Sequence, residues 1–431
     1  MQKTKTGKLG RRDFLKATGA IAGAAAVGAA PRSLLAQTIQ PTEIIFASAP
    51  FFDKRSIESL LARYNDAQSS VHATYLELPS AADGQTLHRD LRKRLESDKS
   101  PDIFCQDIVW IAELAAAGLS LPLNDFFSND DMAAFFPGIV QGCTVDGALA
   151  AMPWFADSGM LFYRADILEK IGAEVPETWD DLVITAMEGM AAEPEYGFVW
   201  QGKKSEALVC NVVSAIGSNG GTILRPDGTV AIAEPEAVAA VQFLYDTINH
   251  LLISPADVLT WDEEPARKQF NAGNALFLRN WSYTWGLAQQ SGSPVAGKIG
   301  VAPLPHFPGK SSAACLGGYQ FGVSASSKKS EAAIDLLRWL SSPEAQLHFA
   351  VENGLAPTRQ SVFENPLLAE AQPFLAQLKD VFVGALARPV TAKYPEVTLV
   401  IQAQVEKALA SGEISSALTA AKEEIEAILA G

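Results

Sequence analysis

Three aromatic residues at alternating positions, Trp281, Tyr283 and Trp285, follow the strand-like run 275–278. Tyr319 comes directly after Gly317 and Gly318, and a glycine lets the backbone pass close to a ligand. Two acidic residues also stand at element ends: Asp107 closes the run 102–106, and Asp157 lies between Trp154 and Gly159. Flat rings give contact area at low entropy cost, and carboxylates give charge-assisted hydrogen bonds with a direction. Each residue has a plainer reading as well. The rings could be core packing, either aspartate could cap a helix or turn, and Tyr319 could sit packed in a tight turn.

Groups suited to bond breaking are sparse. No HExxH, Walker or nucleophile-elbow motif occurs, and the five histidines lie far apart without a Ser/Asp arrangement. His306, flanked by prolines, reads as connector surface. Cys105, Cys143, Cys210 and Cys315 are scattered, with no CxxC pair and no histidine at metal-ligand spacing, so no metal and no cofactor are expected. Their apolar contexts favour buried free thiols over disulfides. The enzymatic alternative is a secreted glycoside hydrolase with Asp107 and Asp157 as acid and base, which needs carboxyls about 5 to 9.5 Å apart.

Charge narrows the partners. The chain carries 34 Lys and Arg against 49 Asp and Glu, a formal net charge of −15. Seven of the basic residues fall in the first 36, so the remainder is more acidic still. Such a surface repels phosphate backbones and anionic headgroups, which disfavours nucleic acid and membrane surface and leaves a neutral or cationic solute. At the N-terminus, Arg11-Arg12-Asp13-Phe14-Leu15-Lys16 precedes the Ala/Gly-rich stretch 17–30. The pattern reads as a twin-arginine export signal, residues 1–36, cleaved after Ala36, with the working protein in the periplasm. The small-residue stretch is shorter than the roughly 20 apolar residues of a membrane span.

The elements that must hold these residues alternate. Residues 43–48 read as a strand and 54–65 as a helix with Ile57, Leu60, Leu61 and Tyr64 on one stripe. A strand over 71–78, a helix over 86–97, the strand 102–106 and a helix over 109–117 follow. This order predicts an α/β fold with a mostly parallel sheet, and ligands in such sheets bind beyond the carboxyl ends of strands, where Asp107 stands. A second αβ unit follows 148–164, with Thr178 as the N-cap of a helix and further helices over 204–217 and 234–251. After a proline-stiffened connector over 301–309 come a strand over 319–324, a helix over 329–341 and a mainly helical last hundred residues.

Several words along the chain resemble a family. They are Phe198-Val199-Trp200-Gln201-Gly202-Lys203, Ser218-Asn219-Gly220-Gly221, Arg279-Asn280-Trp281-Ser282-Tyr283-Thr284-Trp285-Gly286, the connector from Gly300 to Gly309, Leu316-Gly317-Gly318-Tyr319 and Arg388-Pro389-Val390. In this order they resemble the extracellular solute-binding proteins of ABC sugar importers, most closely the trehalose/maltose-binding group. The resemblance implies a two-lobed type II periplasmic-binding-protein fold with a multi-segment hinge. It puts residues 37–150 plus 320–354 in the N-terminal lobe and 151–319 plus 355–431 in the C-terminal lobe, with hinge crossings near 148–154, 316–320 and after Gly354.

The same resemblance implies that solute is trapped in a cleft by hinge closure. Asp107 and Asp157 match carboxylates that bind sugar hydroxyls, while Trp281, Tyr283 and Tyr319 with Gly317 match the stacking side. Phe155 stands where relatives can carry tyrosine, Arg388 matches an arginine that reaches the cleft, and Trp285 reads as packing. Two departures concern selectivity: where relatives place an acidic residue after the first strand this chain has 49–53, so that carboxylate is displaced to Asp53 or lost, and 78–83 holds no clear counterpart of an arginine after the second. The expected function is capture of a neutral oligosaccharide, a disaccharide such as trehalose, maltose or sucrose, by a non-enzymatic monomer that delivers it to an inner-membrane ABC permease. A solute sensor without a transport role is the other binding alternative.

Overall fold

A computed structural model describes residues 40–50, 54–78, 84–97 and 99–431. The expected export signal, Asp53 and the stretch 79–83 lie outside the described residues. From Pro41 to Gly431 the chain forms one compact unit, and thirteen strands are found among its described residues. In chain order these are β1 (Thr42–Ser48), β2 (Val71–Glu77), β3 (Ile103–Asp107), β4 (Thr144–Val145), β5 (Ala148–Leu149), β6 (Met152–Ser158) and β7 (Met160–Arg164). Then come β8 (Tyr196–Val199), β9 (Ala275–Asn280), β10 (Ile299–Ala302), β11 (Ala314–Val323), β12 (Ala356–Pro357) and β13 (Ala385–Leu386).

Two main sheets result. The larger has the order β12-β6-β11-β3-β1-β2 with β13 beside β11, and the smaller the order β10-β7-β9-β8. Each is mixed, which corrects the expectation of mostly parallel sheets. β1 pairs in parallel with β2 and β3, as a strand-helix-strand order requires. The later strand β11 runs antiparallel to β3 and β6, and β12 antiparallel to β6, while β13 pairs in parallel with β11; β11 returns from β10 of the smaller sheet with no helix between them. The chain leaves the larger sheet at Gly159, between β6 and β7, and returns to it between β10 and β11.

Local sequence explains the main elements. Helix Lys54–Ala67 buries Ile57, Leu60, Leu61 and Tyr64, the stripe set by its apolar spacing. Helix Trp179–Ala192 begins in a capping box: Asp181 N donates to Thr178 Oγ1, and Thr178 N donates to Asp181 Oδ2, each at 3.1 Å. One apolar cluster joins β1 and β3 to Phe349, Phe363 and Phe382 of the C-terminal third. A second joins Phe198, Phe277 and helix Glu206–Ser218 to Ile401 and Leu418 of the last two helices. β11 touches both, with Ala314 and Cys315 in the second cluster and Leu316, Phe321 and Val323 in the first.

β11 is also longer than the strand expected over 319–324. Gly317 and Gly318 read as a turn in sequence, yet they lie inside the strand. Gly318 has φ +98°, and a Cβ there would lie 2.4 Å from the Phe155 carbonyl oxygen. Glycine thus lets β11 press against β6 where any side chain would part them. The register shifts just beyond, and buried Gln320 repairs the gap by accepting from Trp154 N at 2.9 Å and donating to Phe155 O at 3.3 Å.

Candidate functional site

β11 gathers the candidate residues. Its Tyr319 stands opposite Asp107 of β3 on one side and opposite Phe155 of β6 on the other. The Tyr319 ring stacks with Phe155 at 5.9 Å and meets the edge of Trp110 at 5.8 Å. Burial, reinforced by nearby Asp107, pushes the Tyr319 hydroxyl well above its ordinary range, so it stays a neutral donor. Two residues earlier, Gly317 pairs with Asp157 of β6.

Asp107 serves two roles at once. Its Oδ1 accepts from Val109 N at 3.1 Å, capping the turn Ile108–Trp110, and also faces Arg388 Nη2 at 3.3 Å. Burial raises its pKa while Arg388 pulls the other way. Arg388 is only 7% exposed, a buried residue and not a surface one. Its Nη1 donates to Glu206 Oε1 at 2.8 Å. Glu206 is in turn held by Thr398 Oγ1 at 2.6 Å and by the Tyr394 hydroxyl. Arg388 therefore ties the end of β3 to helix Glu206–Ser218 and helix Tyr394–Ser411.

The second carboxylate has a different setting. Asp157 Oδ1 accepts from the backbone N–H groups of Ser158 at 2.9 Å and Ser282 at 3.2 Å. Burial pushes its pKa up to about 6 against the pull of those amides and of Arg279. Trp281 follows β9, with its Nε1 donating to Glu263 Oε1 at 3.3 Å. A Cβ on Gly317 would lie 3.3 Å from the indole Cζ3, so the missing side chain is what lets the ring lie against β11. Asp157, Gly317 and Trp281 thus form one patch, and Asp107, Phe155, Tyr319 and Arg388 another, joined through β6 and β11.

The two outer aromatics of the Trp281 word diverge. Tyr283, 40% exposed, turns its hydroxyl to Glu264 Oε1 at 2.9 Å. Trp285 stacks face to face on Phe374 at 4.6 Å, in the packing expected of it. The rings of Trp281 and Trp285 part company because the chain turns from strand into helix Tyr283–Ala288 between them.

Four further residues belong to this region without having been singled out from the sequence. Trp110 backs Tyr319, Glu206 pairs with Arg388, Glu263 holds the Trp281 indole, and Arg279 lies over that indole at 4.4 Å. Arg279 had a signal: an arginine ending an apolar strand run is a charge headed for the interior. Glu206 and Trp110 had none, since their meaning depends on partners far along the chain. Among the described residues no group of three or more His, Cys, Asp and Glu could hold a metal ion. The four cysteines are buried and unbridged. No helix among the described residues is long and apolar enough to cross a membrane.

An array of half-buried carboxylates, an arginine and flat rings can bind a polar solute with apolar faces, and known proteins of similar sequence and shape do so. The chain is 40% identical over 307 residues to a probable ABC transporter-binding protein of Deinococcus radiodurans, covering 69% of this chain and 72% of that one. A maltotriose-binding protein of Pyrococcus abyssi is 24% identical over 293 residues, covering 65% and 59%. Among solved structures, maltose-bound MalE3 of T. maritima matches at 38% identity and TM-score 0.73 over 89% of this chain and 99% of that one. The cyclic alpha-maltosyl-1,6-maltose binding protein of Arthrobacter globiformis matches at 25% identity and TM-score 0.79 over 90% and 99%. These neighbours share the type II periplasmic-binding-protein fold. Residues 55–347 carry the pattern of the bacterial extracellular solute-binding proteins, and the chain belongs to that family.

Proposed function

We propose that this protein is the periplasmic binding component of an ABC importer for a neutral oligosaccharide, a disaccharide such as trehalose, maltose or sucrose. The observation that carries the reading is the register of β11, which sets Tyr319 between Asp107 and Phe155 and sets Gly317 beside Asp157 and Trp281. Sugar rings would stack on Trp281 and Tyr319, with Phe155 behind Tyr319 and Tyr283 at the exposed margin. Hydroxyls at the sugar rim would be held by Asp107, Asp157 and Arg388. A maltose complex of a 38% identical structure supports the disaccharide class.

Solute that touches residues from both sheets stabilises a closed form over an open one, and closure is what a permease can read. Two lobes, one built on each main sheet, would move as bodies. The pairing of β12 and β13 with the larger sheet favours placing the last crossing after Leu386. Export by the twin-arginine route with cleavage after Ala36, a monomeric state and indifference to nucleic acid complete the proposal. No reaction is catalysed in this reading.

The test is a thermal-shift screen of the purified protein against mono- and disaccharides, followed by calorimetry on the responders. A ligand that binds the folded form alone raises stability by about 2.7 kcal/mol at a hundred times its Kd. At least one disaccharide is expected to raise the melting temperature by several degrees. Unchanged melting across the panel at millimolar sugar would defeat the carbohydrate reading.

A further inference from the structure

The edge of the Trp281 ring carries a carboxylate that the binding scheme above does not use. Trp281 Nε1 donates to Glu263 Oε1 at 3.3 Å. The backbones of the two residues are joined as well: buried Asn280 donates from Nδ2 to the Glu263 carbonyl at 3.2 Å, and its Oδ1 accepts from Trp281 N at 2.8 Å. Asn280 ends β9 and Glu263 opens helix Glu263–Asn271. A ring and an acid tied together through both side chain and main chain form one preorganised unit.

The carboxylate of Glu263 is only half used. Its chain neighbours turn elsewhere: Asp262 pairs with Lys203 at 2.7 Å, and Glu264 meets Arg267 at 2.6 Å and the Tyr283 hydroxyl at 2.9 Å. Glu263 has no cation among the described residues, and its Oε2 has no partner there. The two oxygens share one carbon, so anchoring Oε1 on the indole also fixes Oε2 beside the border of the ring. On one face of that ring lies the guanidinium of buried Arg279, 4.4 Å from the centroid, so this face looks into the protein. Trp281 is nevertheless only half-buried.

Resting on the sugar-binding reading above, we propose that Glu263 is a specificity-determining residue: it sets the pose of Trp281 through the indole N–H and offers its second oxygen to a rim hydroxyl of the sugar unit stacked on that ring. A pyranose lying on the face opposite Arg279 carries its equatorial hydroxyls outward, past the border of the indole, where Glu263 stands. A hydroxyl gives a carboxylate a charge-assisted bond, and a solute without that hydroxyl leaves the acceptor unmet. The contact therefore selects among sugars of equal size.

The test measures binding of maltose, trehalose and their monodeoxy analogues by calorimetry to the parent, Glu263→Gln, Glu263→Met and Asp262→Asn. The indole N–H NMR signal of Trp281, assigned by its loss in Trp281→Phe, is followed in sugar-free protein. Glutamine keeps an oxygen for the indole but loses the charge, so Glu263→Gln should hold the parent signal and weaken binding at least about fivefold. Methionine loses both, so Glu263→Met should move the signal and weaken binding further. One monodeoxy sugar should bind the parent about tenfold less tightly than its fully hydroxylated form. Toward that analogue the parent and Glu263→Gln should agree within about twofold. Asp262→Asn removes the same charge from the adjacent position and should bind like the parent.

A Glu263→Gln protein that binds every sugar as the parent does, or that loses the same factor toward every monodeoxy analogue, overturns the proposal. So does an Asp262→Asn protein that loses as much as Glu263→Gln, or an indole signal that Glu263→Met leaves in place. If Glu263→Met does not fold, the glutamine variant and the monodeoxy series decide alone. A parent that binds none of these sugars defeats the sugar reading itself, and the hydroxyl contact falls with it.

Discussion

The two carboxylates of the site are answered in opposite ways. Asp107 meets a full cation, Arg388, which also pairs with Glu206 and through it with Tyr394 and Thr398. Asp157 meets two backbone amides, and its pKa stands near 6. The first patch is a charge network spanning three distant stretches of chain, so breaking it unsettles the fold. The second is held by backbone amides and close strand contact rather than by paired charges, so breaking it should chiefly alter the affinity for solute. In the proposed binding scheme, structural and ligand-binding roles are thus unevenly divided between two patches that share β6 and β11.

The strongest way to break this comparison is Arg388→Met. It leaves Asp107 and Glu206 without their cation, and removing one member of a buried pair costs about 3 to 5 kcal/mol. Urea unfolding should report that loss. A loss under about 1 kcal/mol would put the Arg388 network on the same footing as a surface ion pair. Asp107→Ala is milder, because Arg388 keeps Glu206, yet it should lower stability as well as affinity.

Trp281→Ala should act chiefly on affinity, weakening disaccharide binding by about 2 kcal/mol, roughly thirtyfold, as aromatic anchors do. Its neighbour gives the control. Trp285→Ala removes a ring stacked on Phe374 and should reduce stability by about 3 kcal/mol with little change in affinity. Calorimetry and thermal melts on both variants distinguish the outcomes, and equal effects on both measurements would erase the contrast.

Asp157→Asn sharpens the comparison through pH. The folded pKa lies above the ordinary 3.8, so the folded state holds the proton more tightly than the unfolded chain. This group's stabilising contribution is present below about pH 4 and is lost as pH rises to about 6. The asparagine cannot ionise and keeps an oxygen for the Ser158 and Ser282 amides, so the variant should be about 2 kcal/mol more stable than the parent at pH 7.5 while binding sugar less well. Equal stability of the two proteins from pH 4 to pH 7.5 would remove the buried-charge account of Asp157. The smallest effect is Gly317→Ala. Its Cβ, 3.3 Å from the indole, should push Trp281 outward and weaken binding by about 1 kcal/mol, with melting almost unchanged.

Much of this was legible in the amino-acid order. The stripe of helix Lys54–Ala67, the Thr178 cap, the strand ending at Asp107 and the strand before Trp281 are local patterns of spacing and turn chemistry. The antiparallel course of β11 between β3 and β6 was not legible, because its direction depends on the chain returning from the smaller sheet. Nor was the full length of β11, where a glycine pair that reads as a turn is a point of close strand contact.

The sequence by itself determined which residues could serve: rings at strand ends, acids at strand ends, and glycines that leave room beside them. Their types and local conformations follow from neighbours a few positions away. Only the tertiary structure decided which of them meet. Asp107 and Arg388 are separated by 281 positions, and Tyr319 reaches both Asp107 and Phe155 because one strand is paired on both edges. No local propensity encodes that pairing. It is fixed by the burial of the two apolar clusters that β11 joins along its length, the arrangement that brings the two patches together.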